Sequence, residues 1–315
     1  MSTEIRSRRS ALRWVLRFVL LYALFLVLFV LGSAPLARVI PADTVSEPGL
    51  MAPGSGLLVI ALVNVALIAA LILTSRWRGW KLAIGLGLAY YGAVTFLTQI
   101  ETWYFLSSIS VAPEVLPYLF AMGIPTAFIY IPLAVRILGR WNAEPEAPGE
   151  RRALRSTGSW VWRLGLVAVA YLVLYWTAGY FIAWQNPELR AFYGEPGDAA
   201  PFLMHTLATV REDPGLFAFQ LLRGILWALC ALPVIYGSRL SAWWTATLVA
   251  LLFSLPQNVA QIIANPLMPQ ASVRLSHMVE TVVSNFVFGL IVVALLWPTR
   301  SFRGDVAGSG ASPAR

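Results

Sequence analysis

Eight unbroken apolar stretches dominate this chain, each about as long as the ~20 residues a helix needs to cross the ~30 Å hydrocarbon core of a bilayer. Backbone in lipid must satisfy its own hydrogen bonds, so continuous runs of this kind fold as helices. A membrane barrel would instead show segments of about 10 residues with alternating polarity. Composition agrees: of 315 residues, 58% are hydrophobic and 12% charged, roughly half the charged share of a water-soluble domain. The expected fold class is an all-α polytopic membrane protein.

The stretches fall near residues 14–34, 56–74, 82–103, 113–136, 161–183, 216–236, 242–263 and 275–297. Pro41, Pro48, Pro53, Pro145, Pro148, Pro196, Pro214 and Pro266 mark most of the breaks. The first stretch has a basic start and is followed by Gly32-Ser33-Ala34, as a cleaved leader would be. Pro35 is a poor cleavage context and the stretch is longer than a leader core requires, so a retained span is expected.

A net charge of +8 would suit nucleic acid if it formed a solvated patch. Here the basic residues flank the apolar runs, so no nucleic-acid partner is expected and the lipid bilayer is the implied surroundings. Placing the N-terminus in the cytoplasm puts 18 of the 23 basic residues on that side, among them Arg13, Arg17, Arg76, Arg78, Lys81, Arg136, Arg140, Arg163 and Arg239. The far side keeps Arg38, Arg190, Arg211, Arg223 and Arg274 beside the acids Asp43, Glu47, Glu188, Glu195, Asp198, Glu212 and Asp213. Positive charge is retained inside, so the expected localisation is a bacterial cytoplasmic (inner) membrane with both termini cytoplasmic. Trp80, Trp103, Trp141, Trp160, Trp184, Trp243 and Trp297 lie near the span ends, where amphipathic rings favour the interface. Cys230 is the sole cysteine, which excludes an intramolecular disulfide or a thiolate cluster.

The chain carries an internal echo. Ser75, Arg76 and Trp80 align with Ser238, Arg239 and Trp243, each set between the second and third helix of its half. One residue of shift then aligns Gln99-Ile100 with Gln261-Ile262, and Ser110-Val111 with Ser272-Val273. The expectation is two four-helix repeats, 1–140 and 160–300, joined by a cytoplasmic linker over 141–159 and followed by a disordered tail over 301–315. An even number of helices per repeat makes the copies parallel, with a pseudo-twofold axis along the membrane normal.

Polar groups at membrane depth are costly and are functional candidates by default. They concentrate in the half of the bundle away from the cytoplasm: Gln99 and Glu101 on the third helix, Arg223 on the sixth, and Gln257, Asn258 and Gln261 after Pro256 on the seventh. On the eighth, Arg274, His277, Glu280, Thr281, Ser284 and Asn285 share an arc of about 140° at 100° per residue. That face must point into the bundle. Glu280 in hydrocarbon would be neutral unless paired, with Arg223, Arg274 or His277 as partners. Pro256 is expected to kink the seventh helix and free carbonyls beside Gln257 and Gln261. The connection from Gln185 to Pro214 is long enough to cap the site, and His205 within it is expected to be solvated.

The pocket expected is lined by Gln99, Glu101, Arg223, Gln257, Asn258, Gln261, His277, Glu280, Ser284 and Asn285. The leading functional expectation is binding or transport of a small polar or charged solute, with Glu280, His277 and Glu101 exchanging a proton or ion and Arg223 as counter-charge. A metal-dependent membrane hydrolase is the alternative, with zinc on His277, Glu280 and Glu101; the other is a non-catalytic scaffold of an envelope complex. No phosphate-binding loop, His-Glu-x-x-His zinc helix, Gly-x-Ser-x-Gly elbow or pair of adjacent glutamates occurs, and no cofactor is expected.

Overall fold

The computed structural model describes residues 2–40, 44–106, 112–142 and 157–298. Among the described residues there is no strand, only one isolated backbone bridge, and eight helices are long and apolar enough to cross a membrane. They are Ala11–Arg38, Pro53–Thr74, Gly79–Tyr104, Pro113–Ile137, Gly158–Ala183, Pro214–Gly237, Ala242–Ile262 and Ala271–Leu296, called spans 1 to 8 below. The protein is an all-α, multi-pass membrane protein. Most of the expected linker, the expected tail and the Ser110-Val111 pair lie outside the described residues.

Three spans depart from the uninterrupted helices the apolar runs imply. A π-turn occupies Gly92–Phe96 in span 3, Pro125–Tyr130 in span 4 and Gly179–Ala183 at the end of span 5. The second begins at a proline, which has no N–H to give and displaces the carbonyl one turn back. At Gly92 a Cβ would run into Cys230 Sγ, so glycine lets span 3 lie directly against span 6.

Span 7 passes through Pro256 to Asn258 and ends in a 3₁₀ turn over Val259–Ile262. Gln257 and Asn258 turn back on their own helix, with Gln257 Nε2 donating to the Phe253 carbonyl at 2.9 Å and Asn258 Nδ2 to the Ser254 carbonyl at 2.7 Å. Pro256 leaves the Leu252 carbonyl without its helical donor, and the helix ends two residues later.

Span 8 packs along span 7 and against span 5, span 6 against spans 5 and 3, span 2 against span 7, and span 1 against span 4. Rings fill the centre: Trp227 meets Phe253 at 4.6 Å, Tyr171 meets Phe288 at 4.9 Å, and Phe25 meets Tyr130 at 5.3 Å. Leu20, Val27, Val173, Leu222 and Val283 are exposed, as expected of side chains that face acyl tails.

One end of the bundle gathers Arg76, Arg78, Lys81, Arg136, Arg140 and Arg239; the other gathers Glu47, Glu188, Glu195, Glu212 and Asp213. At the basic end the connections of spans 2–3 and 6–7 meet each other. The Arg76 amide donates to the Gly237 carbonyl at 2.6 Å, and the Arg239 amide donates to the Thr74 carbonyl at 2.9 Å, around an antiparallel bridge of Ser75 with Ser238. These bonds exchange under the offset that aligns Ser75 with Ser238. Under the same offset Ser75 Oγ accepts from the Trp77 amide and Ser238 Oγ from the Leu240 amide, both at 3.1 Å. Deeper in, Asn64 and Tyr90 bond at 2.6 Å, and the two positions aligned with them hold the edge-to-face pair Trp227 and Phe253.

Candidate functional site

Arg223 comes nine residues into span 6 from the acidic end, and Glu280 nine residues into span 8 from the same end, about 14 Å in each case at 1.5 Å per residue. Arg223 is 2% exposed, while its neighbour Leu222 is 52% exposed, so one helix face sends the guanidinium inward and the next residue to lipid. Its Nη1 donates to Glu101 Oε1 at 2.6 Å and its Nη2 to Glu101 Oε2 at 2.7 Å. Such a two-pronged ion pair is the strongest that guanidinium and carboxylate make. Nη1 also donates to Gln220 Oε1 at 2.8 Å and Nη2 to the Leu97 carbonyl at 3.1 Å. The rings of Tyr171 and Phe219 flank the cation at 5.6 and 5.7 Å.

The second part of the cluster rests on span 8. Glu280 is buried, and its Oε2 lies 3.4 Å from His277 Nδ1; His277 Nε2 lies 2.9 Å from the Tyr193 hydroxyl. Tyr193 sits in the connection between spans 5 and 6. Burial and the nearby Glu101 and Glu280 push its phenol well above the ordinary range, so it keeps its proton. The Tyr193–His277–Glu280 chain has two self-consistent proton arrangements. In one, the phenol donates to Nε2 while Nδ1–H donates to an ionised Glu280. In the other, a protonated Glu280 donates to Nδ1 while Nε2–H donates to the phenol oxygen.

The connection carrying Tyr193 is seated on span 8 by several bonds. Asn186 Nδ2 donates to Ser276 Oγ at 2.9 Å, Ser272 Oγ donates to Glu188 Oε2, and Leu189 packs with Ala183 and Val273. Arg190 folds back onto the Gly197 and Trp184 carbonyls at 2.8 and 2.6 Å and holds the short helix Pro187–Phe192 in shape. The connection is thus docked on span 8 through its short helix and Tyr193.

Farther along, Phe202–Glu212 forms a second helix. His205, expected to be solvated, instead stacks on Trp176 at 5.3 Å and contacts Tyr180 and Trp184. Burial lowers its pKa below 6.5, partly offset by Glu195. The rings that flank it belong to span 5 and to Trp184 just after it, too far away in sequence for local polarity to reveal them.

The remaining expected residues divide. Asn258 joins the span 8 face, because Thr281 Oγ1 donates to its Oδ1 at 2.5 Å. Ser284 and Asn285 are buried on span 8. Gln257 Oε1 accepts from Thr98 Oγ1 at 3.0 Å and serves the contact between spans 3 and 7. Gln99 stands about 200° around the helix from Glu101, away from the pair. Gln261 lines a separate cavity of about 70 Å³ with Gly49, Leu50, Ala271 and Arg274.

Arg274 does not serve Glu280. It donates to the Met268, Pro269, Glu47 and Pro48 carbonyls at 2.7 to 3.0 Å and pins the first acidic-end connection to the one before span 8. Arg223, the other candidate partner of Glu280, is taken by Glu101. His277 is the partner Glu280 keeps.

Besides Tyr193, three residues of this neighbourhood did not stand out in the sequence. Gln220 lies one turn before Arg223 on the same face and was findable from that spacing. Tyr171 and Tyr175, which look like ordinary core aromatics, lie with Tyr193 within electrostatic reach of Glu101, Glu280 and Arg223. Among the described residues, Gln220 Nε2 and Arg223 Nε are buried donors with no hydrogen-bond partner. They occupy one face of span 6, within an arc of about 60°.

Zinc on His277, Glu280 and Glu101 fits this geometry poorly, because Arg223 occupies both Glu101 oxygens. Among the described residues no group of three His, Cys, Asp or Glu side chains is arranged to hold a metal ion. Compared with known proteins, the chain matches no family model, no curated protein and no solved structure.

Proposed function

We propose that this protein binds a small polar or charged solute at the Glu101–Arg223–Glu280 cluster and carries it across a bacterial cytoplasmic membrane in exchange with protons. The observation that carries the reading is the juxtaposition, at one depth, of a bidentate ion pair and a buried carboxyl linked through His277 to a tyrosine of the covering connection. Groups so costly to bury would be replaceable by apolar packing if they served stability alone. Partnerless donors on span 6 supply hydrogen-bonding capacity that a solute or water can take up. The positive-inside rule puts the basic end, and with it both termini, in the cytoplasm.

The reciprocal Ser75/Ser238 contact supports two parallel repeats whose pseudo-twofold axis passes through it along the membrane normal. In this reading the halves rock about that contact, while the Tyr193 cap closes the site toward the outside. The test is uptake of labelled solutes by proteoliposomes, with methylammonium, glycine, acetate and glycerol as a panel. At least one is expected to enter in a proton-dependent way, and Glu280→Gln should abolish that entry without lowering the unfolding temperature. No uptake of any member, or full uptake by the variant, contradicts the reading.

A further inference from the structure

The charges of the cluster do not balance. Glu101 is matched by Arg223 through two short bonds. Glu280, also buried, has among the described residues only His277 as an ion-pair partner, at 3.4 Å. A carboxylate shielded from water without a full counter-charge is strongly disfavoured, so Glu280 is neutralised either by a proton or by a cation. The groups within electrostatic reach of it are Glu101 from span 3, Tyr171 and Tyr175 from span 5, and Arg223 from span 6. His277 and Thr281 lie on its own span, and Tyr193 comes from the covering connection.

Three tyrosines lie within electrostatic reach of this charge, Tyr193 through its bond to His277. The Tyr171 and Tyr175 rings are 6.2 Å apart, and Tyr193 stands edge-on to His277 at 5.6 Å. Aromatic faces attract desolvated organic cations, by about 2 kcal/mol or more at shielded sites, whereas a strongly hydrated metal ion gains little from them. We propose that the solute is a small organic cation, an amine or quaternary ammonium ion, which sits among Tyr171, Tyr175 and Tyr193 against the Glu280 carboxylate and displaces its proton.

In that step the Glu280 O–H bond breaks and its electron pair stays on the carboxylate oxygen. The proton passes to His277 Nδ1, which gives up its other proton at Nε2 toward Tyr193 and the acidic end. Charge is conserved, one cation for one proton. Because the two compete for one carboxyl, each cation carried one way is exchanged for a proton carried the other. The inference rests on the solute-binding reading above and adds the ligand class and the direction of coupling.

The test uses the purified protein in lipid nanodiscs, weakly buffered, with a pH indicator in solution. Tetramethylammonium chloride is added, with sodium chloride at equal ionic strength as control. The expected result is release approaching one proton per bound cation, with apparent affinity tightening toward tenfold per unit rise in pH while Glu280 remains mostly protonated. Glu280→Gln should release none, Glu280→Asp should still release, and Tyr175→Leu should weaken binding several-fold without changing protons released per cation bound.

No release beyond the sodium control, or undiminished release from Glu280→Gln, overturns the inference. A shift in unfolding temperature with acetate or glycerol but none with tetramethylammonium overturns the cation class and leaves the solute site standing. No shift with any of the three removes both.

Discussion

Arg223 grips Glu101 through two parallel hydrogen bonds of 2.6 and 2.7 Å, and so its charge is matched by Glu101 and not by Glu280. One strong pair and one underpaired acid at the same depth give the site its character. Removing one member of the pair strands a charge. Arg223→Met should therefore destabilise the protein by about 3 kcal/mol, the lower end for buried pairs, because Glu101 retains 29% side-chain exposure. Arg223→Met combined with Glu101→Gln should recover most of that loss. Denaturant unfolding in mixed micelles checks both, and a double variant no better than the single one would contradict the pairing.

The covering connection is held over the site by Tyr193 on His277 and Asn186 on Ser276. A cysteine placed at Ser284, in a Cys230→Ala background, should react slowly with a membrane-impermeant thiol reagent. Adding Tyr193→Ala should speed that reaction by tenfold or more. Equal rates with and without Tyr193 would show that the connection does not close the site.

The Ser75–Ser238 bridge is the proposed pivot between the halves. Directly paired antiparallel residues bring their Cα atoms to about 4.5–5.5 Å, within the span of a disulfide. Ser75→Cys with Ser238→Cys, again without Cys230, should cross-link on oxidation, stop uptake and leave binding intact, with recovery on reduction. Full uptake by the cross-linked protein would exclude rocking about this contact.

His205 supplies a pH dependence. Burial among Trp176, Tyr180 and Trp184 lowers its pKa below 6.5, so the unfolded segment accepts a proton more readily than the docked one. Docking of the Phe202–Glu212 helix is therefore unimpaired above about pH 6.5 and weakens as the pH falls toward the lowered folded-state value. Hydrogen exchange of residues 202–212 should quicken between pH 7 and pH 5 in the wild type. His205→Phe should show no such dependence once intrinsic exchange is corrected for.

Much of this architecture is legible from residue type alone. Hydropathy locates all eight spans because lipid forces each to satisfy its own backbone, and the paired Ser-Arg motifs mark the place where the connections of spans 2–3 and 6–7 meet. The face from His277 to Asn285 is legible from helical spacing. Partner choice is not, because it depends on which helices touch: Arg223 goes to Glu101 across the span 3–span 6 contact, and Arg274 to loop carbonyls that carry no sequence signal. Tyr193 stayed hidden for the same reason, since a tyrosine in a connection becomes informative only once Asn186, Glu188 and Leu189 have docked that connection onto span 8.

The central claim is that solute and proton compete at Glu280. Proteoliposomes loaded with tetramethylammonium and a pH-sensitive dye, then diluted into cation-free medium, test it most directly. Outward movement of the cation should acidify the wild-type interior, and Glu280→Gln vesicles should keep their pH. Acidification of equal size in the variant, or none in the wild type while the cation still escapes through it, would contradict the account.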